Sequence, residues 1–129
     1  MNMAAADILI VDDNPDIRQL LRMTIEAPGV RLREAASGAE ALDLIERQRP
    51  SLVILDVMMA GEIDGLAVCR RIRADPRSAR VPVIVLSARG QKADVEEGLK
   101  AGANAYIVKP FSPFALQEAI AGLLTGRSE

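Results

Sequence analysis

The stretch LVILD at residues 52–56 consists of four aliphatic residues followed by one carboxylate. Its apolar residues do not alternate with polar ones, which is typical of a strand that is covered on both faces of a sheet. Four other short β-rich runs lie on either side of it, at residues 8–11, 30–34, 83–86 and 105–108. The run at 30–34 is more polar than the others, and we therefore expect it near an edge of the sheet.

Helical patterns separate these runs, and each predicted helix has a recognisable start. Ser37 with Glu40 matches a capping box, and three other starts combine a capping side chain with Pro or Gly. The predicted starts are Asn14-Pro15, Ser37-Gly38, Asp64-Gly65, Gln91 and Ser112-Pro113. Pro28-Gly29 should end the first helix and Gly102 the fourth. Five strand–helix units predict an α/β fold in which a parallel sheet carries helices on both faces.

Composition limits the classes of function. The chain has 129 residues and a net charge of −2, and we expect one domain at 1–129 with a core at about 7–125. A single cysteine excludes a disulfide within the chain, and no apolar run approaches the ~20 residues of a membrane span. We therefore expect a cytoplasmic protein with no membrane partner. Weak negative charge and 2% aromatic residues give no support for direct binding of nucleic acid.

Polar residues follow four of the predicted strands. Asp12 and Asp13 follow the first, Asp56 the third, Ser87 the fourth and Lys109 the fifth. Each alone would be an ordinary turn or cap residue. Ligands of open α/β sheets bind beyond the carboxyl ends of the strands, so these five side chains should meet at one rim.

That set of side chains suits phosphoryl chemistry. Three close carboxylates raise one another's pKa, and a hard divalent cation such as Mg²⁺ relieves their repulsion. An ammonium and a hydroxyl can bind phosphate oxygens, and a carboxylate can act as a nucleophile that forms an aspartyl phosphate. The chain contains no His, so histidine catalysis and histidine metal ligation are excluded.

The ordered set resembles the receiver domain of bacterial two-component response regulators. The resemblance covers Asp7 to Leu124 and implies a flavodoxin-like sheet with strand order 2-1-3-4-5. The residues and motifs that carry it are Asp12-Asp13, Asp56, Asp64-Gly65, Ser87, Gly98, Gly102-Ala103, Tyr106 and Lys109-Pro110.

The resemblance implies that Asp56 accepts a phosphoryl group from a phosphohistidine on a sensor histidine kinase or a histidine phosphotransfer protein. Asp13 and Asp56 would bind Mg²⁺ directly, together with the backbone carbonyl of Met58, and Asp12 would hold a metal-bound water. Lys109 would pair with the phosphoryl group and assist the transfer.

The resemblance also implies a switch. Ser87 would donate a hydrogen bond to the phosphoryl group, and Tyr106 would turn inward as Ser87 moves. The Lys109-Pro110 peptide bond is often cis in the family. The output would be a face of the fourth helix, fifth strand and fifth helix, which binds a protein target, an output domain or a second phosphorylated copy.

Several positions depart from the common pattern. Ala60 stands where a proline is frequent, and the loop from Asp56 to Asp64 is one residue longer than the commonest form. Ser87 replaces the more frequent Thr. The residues that should flank the phosphoryl group are Met58, Ala88 and Arg89. Met58 and Arg89 offer no acceptor that could take a proton from water, which favours slow self-dephosphorylation.

Three functions remain open at this point. The chain could be a stand-alone receiver, which is a phosphoacceptor and not an enzyme acting on a separate substrate. It could also be the receiver of a longer regulator with DNA-binding or enzymatic output. A small Mg²⁺-dependent phosphohydrolase with an aspartyl nucleophile is disfavoured, since no substrate-recognition groups can be placed. A nucleotide-binding module is disfavoured further, because residues 12–15 form no glycine-rich cradle.

Overall fold

A computed structural model describes residues 6–59 and 63–126 of the chain. In these residues strands and helices alternate along the sequence. The strands are β1 (Asp7–Val11), β2 (Arg31–Ala35), β3 (Leu52–Asp56), β4 (Val83–Ser87) and β5 (Ala105–Val108). The helices are α1 (Pro15–Ile25), α2 (Gly38–Arg47), α3 (Gly65–Ala74), α4 (Lys92–Lys100) and α5 (Pro113–Gly126).

The five strands form one parallel sheet in the order β2-β1-β3-β4-β5. The predicted α/β fold and the strand order implied by the resemblance are therefore confirmed. β2 lies at an edge, and most of its residues are exposed or half-buried. Its position explains why its sequence is more polar than that of the central strands.

The central strands β1, β3 and β4 are buried along their whole length. Successive side chains of a strand point to opposite faces, and these strands therefore supply two separate apolar layers. On one face Leu9, Val53 and Val85 pack in a layer that includes residues of α2 and α3. On the other face Ile8, Ile54 and Ile84 pack in a layer that includes residues of α1 and α5. The sheet thus has apolar cover on both sides, and the polar strand ends remain at its rims.

Local capping explains three of the helix starts. The side chain of Asn14 accepts a hydrogen bond from the amide of Asp16 at 2.9 Å, and that of Asp64 accepts from Ala67 at 2.8 Å. Ser37 accepts from the amide of Glu40 at 3.1 Å, as the capping box predicts.

Several boundaries differ slightly from the sequence predictions. The Glu40 carboxylate accepts from the amide of Ala36, one residue before the partner that a capping box requires. Strand β2 lies one residue later than predicted, and α1 ends at Ile25, before Pro28-Gly29. The Lys109-Pro110 peptide bond is cis. Ala60, the position that departs from the frequent proline, lies outside the described residues.

Gly65 fixes the distance between α3 and the end of β3. Its amide donates to the carbonyl of Val57 at 3.1 Å, and a Cβ at this position would collide with the backbone carbonyl oxygen of Asp56. The first residue of α3 is therefore pressed against the strand end that carries Asp56. In the part of the chain that the structure describes, no helix combines the length and apolarity needed to cross a membrane.

We predict that Gly65→Ala destabilises the fold by about 1–3 kcal/mol, because backbone atoms would have to move to admit the new methyl group. Gly122→Ala is the matched control, since nothing lies within 4 Å of a Cβ placed on Gly122 in the middle of α5. That control should gain about 0.5–1 kcal/mol from higher helix propensity. Urea unfolding of the two variants measures both changes. Equal effects of the two substitutions would contradict the proposed close packing at Gly65.

Candidate metal and phosphoryl site

Three carboxylates meet at the carboxyl end of the sheet. Asp12 and Asp13 follow β1, and Asp56 is the last residue of the neighbouring strand β3. One oxygen of each lies within 4.8 Å of the others. Asp12 and Asp56 are buried, and Asp13 is exposed at the mouth of the site. The topology therefore brings together the carboxylates that the sequence placed at one rim.

Lys109 provides the positive charge at this site. Its Nζ lies 3.3 Å from Asp12 Oδ2 and 3.7 Å from Asp56 Oδ2, and its side chain is 20% exposed. β5 is two strands away from β3, and Lys109 directly follows its last residue. The Lys109 ammonium thus lies beside two of the three carboxylates, those of Asp12 and Asp56.

Asp56 shows the electrostatic consequence. Burial is the largest cause that raises the pKa of its carboxyl group, and the nearby carboxylates of Asp12 and Asp13 raise it further. The Met58 amide, which donates to Asp56 Oδ1 at 3.1 Å, and the charge of Lys109 act in the opposite direction. The ionised form of Asp56 is therefore costly unless a further cation is bound.

The donor set fits Mg²⁺. Carboxylate oxygens are the ligands that this hard cation prefers, and it commonly uses one or two of them while keeping waters and phosphate oxygens as its other ligands. Asp13 stands at the open side of the cluster, where solvent reaches it. The site thus offers protein oxygens on the inside and room for water or phosphate on the outside.

Ser87 lies at the same rim, at the end of β4. Its side chain is fully buried, and its Oγ accepts a hydrogen bond from the amide of Arg89 at 3.0 Å. The Ser87 hydroxyl proton is a separate donor that this bond does not use. The residue is therefore linked directly to the loop that leads into α4.

Tyr106 contacts that same loop. Its hydroxyl donates to the carbonyl of Arg89 at 2.8 Å, and its ring packs directly over Gly98 of α4. A Cβ on Gly98 would approach the ring to 2.7 Å. Gly98, one of the residues that carry the family resemblance, provides the space in which the ring lies.

Two of the predicted flanking residues, Met58 and Arg89, line one cleft next to the ends of β3 and β4. Met58 is half exposed, and it lines a cleft of ≈ 490 Å³ together with Arg89. Glu97 of α4 lines the same cleft, although the sequence analysis did not single it out. Ala88 is exposed beside Arg89.

Sequence reasoning missed Arg18 and Glu34. Arg18 Nη1 donates to the backbone carbonyl of Asp12 at 2.6 Å, and its Nε donates to Glu34 of β2 at 2.9 Å. The spacing of Arg18 and Arg22 on one side of α1 was the available signal, because both contact Glu34. Nothing in the sequence showed which acidic residue they would reach.

Comparisons with known proteins agree with this geometry. The family model described as "Response regulator receiver domain" matches residues 8–121. The transcriptional regulatory protein AfsQ1 of Streptomyces coelicolor is 43% identical over 91% of this chain and 50% of its own length. A putative response regulator from Chloroflexus aurantiacus has a solved structure with a TM-score of 0.87. It is 37% identical, with 92% of this chain and 97% of that chain covered.

The curated relatives differ in length. This chain spans about half the length of AfsQ1 and of a probable transcriptional regulator of Cyanophora paradoxa, which is 41% identical over 96% of this chain. An uncharacterised 14.6 kDa protein of Leptolyngbya boryana is 40% identical and is covered over 86% of its length. The similarity therefore extends both to longer regulators and to a protein of nearly the same size.

The raised pKa of Asp56 predicts a pH-dependent stability without divalent cations. A carboxyl group that binds its proton more tightly in the folded state destabilises the fold as pH rises through its folded pKa. Asp56→Asn should therefore raise the melting temperature at pH 7 in EDTA, and the gain should shrink as pH falls toward about 4, near the unfolded pKa.

Asp43→Asn is the control, because Asp43 is exposed on α2 and pairs only with Arg47 among the described residues. It should give no such gain. Added Mg²⁺ should stabilise the wild type more than Asp56→Asn. A wild type that melts higher than Asp56→Asn at pH 7 in EDTA would show that Asp56 is not electrostatically strained.

Proposed function

This chain belongs to the response regulator receiver family, and we propose that it works by accepting a phosphoryl group on Asp56 from a phosphohistidine. It is a receiver domain of two-component response regulators. The observation that carries the assignment of Asp56 is its place at the end of β3, buried between Lys109 and two further carboxylates. The phosphohistidine would belong to a sensor histidine kinase or a histidine phosphotransfer protein.

Asp13, Asp56 and the backbone carbonyl of Met58 would hold Mg²⁺, and Asp12 would hold one of its waters. When bound, the ion offsets the carboxylate repulsion and the negative charge of the incoming phosphoryl group. The carboxylate of Asp12 is held by protein partners on both of its oxygens. Oδ1 accepts from the amide of Asn14 at 2.9 Å, and Oδ2 lies beside Lys109.

The transfer forms one bond and breaks one. A carboxylate oxygen of Asp56 attacks phosphorus, and the bond between phosphorus and the donor imidazole nitrogen breaks with its electron pair leaving on nitrogen. Lys109 Nζ lies 3.7 Å from Asp56 Oδ2 and can pair with the phosphoryl oxygens during the transfer. No general base is needed, because Asp56 reacts as the ionised carboxylate. We therefore assign a phosphoacceptor that assists its own modification, rather than an enzyme with a separate substrate.

Phosphorylation would change a face of α4, β5 and α5. The Ser87 hydroxyl would turn to donate to a phosphoryl oxygen, which disturbs its bond with the Arg89 amide. Arg89 is also the partner of Tyr106, so the change reaches β5. Leu99 of α4 and Val108 of β5 are 47% and 40% exposed, and they give this face apolar area for a protein target, an output domain or a second copy.

Two kinds of protein could contain this receiver: a longer regulator with an output domain, or a stand-alone receiver. A receiver within a longer DNA-binding regulator is favoured by the curated relatives named as transcriptional regulators, of which this chain spans about half. A stand-alone receiver is favoured by the relative of nearly equal length. A Mg²⁺-dependent phosphohydrolase gains no support from the family match.

Incubation with Mg²⁺ and a small acyl phosphate tests the assignment directly. We expect intact-mass spectrometry to show one added phosphoryl group on the wild type and none on Asp56→Asn, because an amide is not a nucleophile. Asp43→Asn is the control, since Asp43 is exposed on α2 and its substitution should leave labelling unchanged. Labelling of Asp56→Asn at the wild-type rate would refute the assignment.

The lifetime of the phosphoryl group should depend on Met58 and Arg89. Hydrolysis needs a water in line with the aspartyl oxygen, and neither side chain has an acceptor that could take its proton. The double variant Met58→Asn with Arg89→Glu should therefore lose the phosphoryl group several-fold faster than the wild type. The measurement is the decay of labelled protein after removal of the donor.

The control pair for this measurement is Met23→Asn with Arg70→Glu, which makes the same chemical changes at exposed positions of α1 and α3. It should decay at the wild-type rate. Decay of the Met58 and Arg89 variant that is no faster than the wild type would contradict the proposed control of lifetime.

A further inference from the structure

Asp12 is held at four points. Its amide donates to the carbonyl of Ala35 in β2 at 3.1 Å, and its Oδ1 accepts from the amide of Asn14. Its Oδ2 lies beside Lys109, and its backbone carbonyl accepts from Arg18 Nη1 at 2.6 Å. The last bond is the shortest of the four, and it involves a charged donor. The start of the acidic turn is therefore tied to α1 as well as to the sheet.

Arg18 is itself fixed in place. Its Nε donates to Glu34 Oε1 at 2.9 Å, and the other carboxylate oxygen of Glu34 lies 2.8 Å from Arg22. The side chain of Arg18 is 17% exposed and that of Glu34 is 31% exposed, so this ion pair is partly shielded from water. Hydrogen bonds from Arg22, and also from Arg18, hold the pKa of the Glu34 carboxyl group below its usual range. Glu34 is thus charged at neutral pH and anchors both guanidinium groups.

We propose that Arg18 is a positioning residue for the cation site, which clamps the carbonyl of Asp12 to Glu34 of β2 and thereby holds Asp12-Asp13 facing Asp56. This inference rests on the proposed function, since it concerns the same Mg²⁺ site. The clamp opposes the repulsion among the three carboxylates, which would otherwise push the turn after β1 away from the end of β3. The site is then preformed before a cation arrives, and binding does not have to order the turn.

Charge and positioning predict opposite effects of removing Arg18. A cationic guanidinium near a cation site repels the ion, so its removal should tighten Mg²⁺ binding if charge alone matters. If the clamp matters, its removal should weaken binding, because the carboxylates relax apart in the free protein. A role limited to joining α1 to β2 would lower the stability of the fold and leave the affinity of the folded protein unchanged.

The test measures the Mg²⁺ dissociation constant by calorimetry and the stability in EDTA by urea unfolding, with three variants. Arg18→Met removes the clamp, and Arg18→Lys keeps the charge but loses the planar fork that joins two acceptors. Arg22→Met is the matched control, since it removes the same charge one turn further along α1. Arg22 also contacts Glu34, but its hydrogen bonds do not include Asp12.

We expect Arg18→Met to weaken Mg²⁺ binding several-fold, Arg18→Lys to weaken it less, and Arg22→Met to bind as the wild type or more tightly. Arg18→Met binding as tightly as Arg22→Met would overturn the positioning role. Should Arg18→Met not fold, Arg18→Lys decides in the same way, because wild-type affinity in that variant would also overturn the role. Absence of Mg²⁺ binding in the wild type would instead refute the metal site of the proposed function, and this inference with it.

Discussion

The crowding of three carboxylates at the end of a buried sheet is the constraint on which the rest of the site depends. Asp12 directly follows β1, and Asp56 is the last residue of β3. Both strands are buried on both faces, so neither residue can move far without disturbing the apolar layers. Burial raises the pKa of the Asp56 carboxyl group, and the like charges of Asp12 and Asp13 raise it further. Lys109 compensates one of the three charges. A bound cation would therefore offset the repulsion that remains among these carboxylates.

The apolar layers provide the rigidity that this crowding requires. Each central strand sends alternate residues to the two faces, and helices close both layers. The contact of Gly65 with the backbone at Asp56 adds a second restraint from α3, and the Arg18 bond to Asp12 adds a third from α1. A close-packed interior resists small displacements. The strand ends therefore cannot move apart to reduce the repulsion among the carboxylates.

The sequence predicts the strands and the rim well and the long-range polar contacts poorly. The run at 52–56 and the caps at Asn14 and Asp64 are local signals, and the structure agrees with them to within a residue or two. The strand order came from the resemblance, because alternation alone does not order parallel strands. The contact between Arg18 and Glu34 joins residues on different elements, and a long guanidinium can reach several acceptors. The Glu40 carboxylate shows the same limit over a shorter distance, since it bonds Ala36 instead of Ser37.

The link between Ser87 and Tyr106 through Arg89 supports the proposed switch. Two neutral hydrogen bonds meet at Arg89, one from its amide to Ser87 and one to its carbonyl from Tyr106. Each contributes about 0.5–1.5 kcal/mol net, and a hydrogen bond to a charged group contributes about 1.5–3 kcal/mol. A single bond from Ser87 to a phosphoryl oxygen is therefore comparable with the bonds it displaces. In the proposed switch, a phosphoryl group on Asp56 would therefore shift the population of the loop from one arrangement to another.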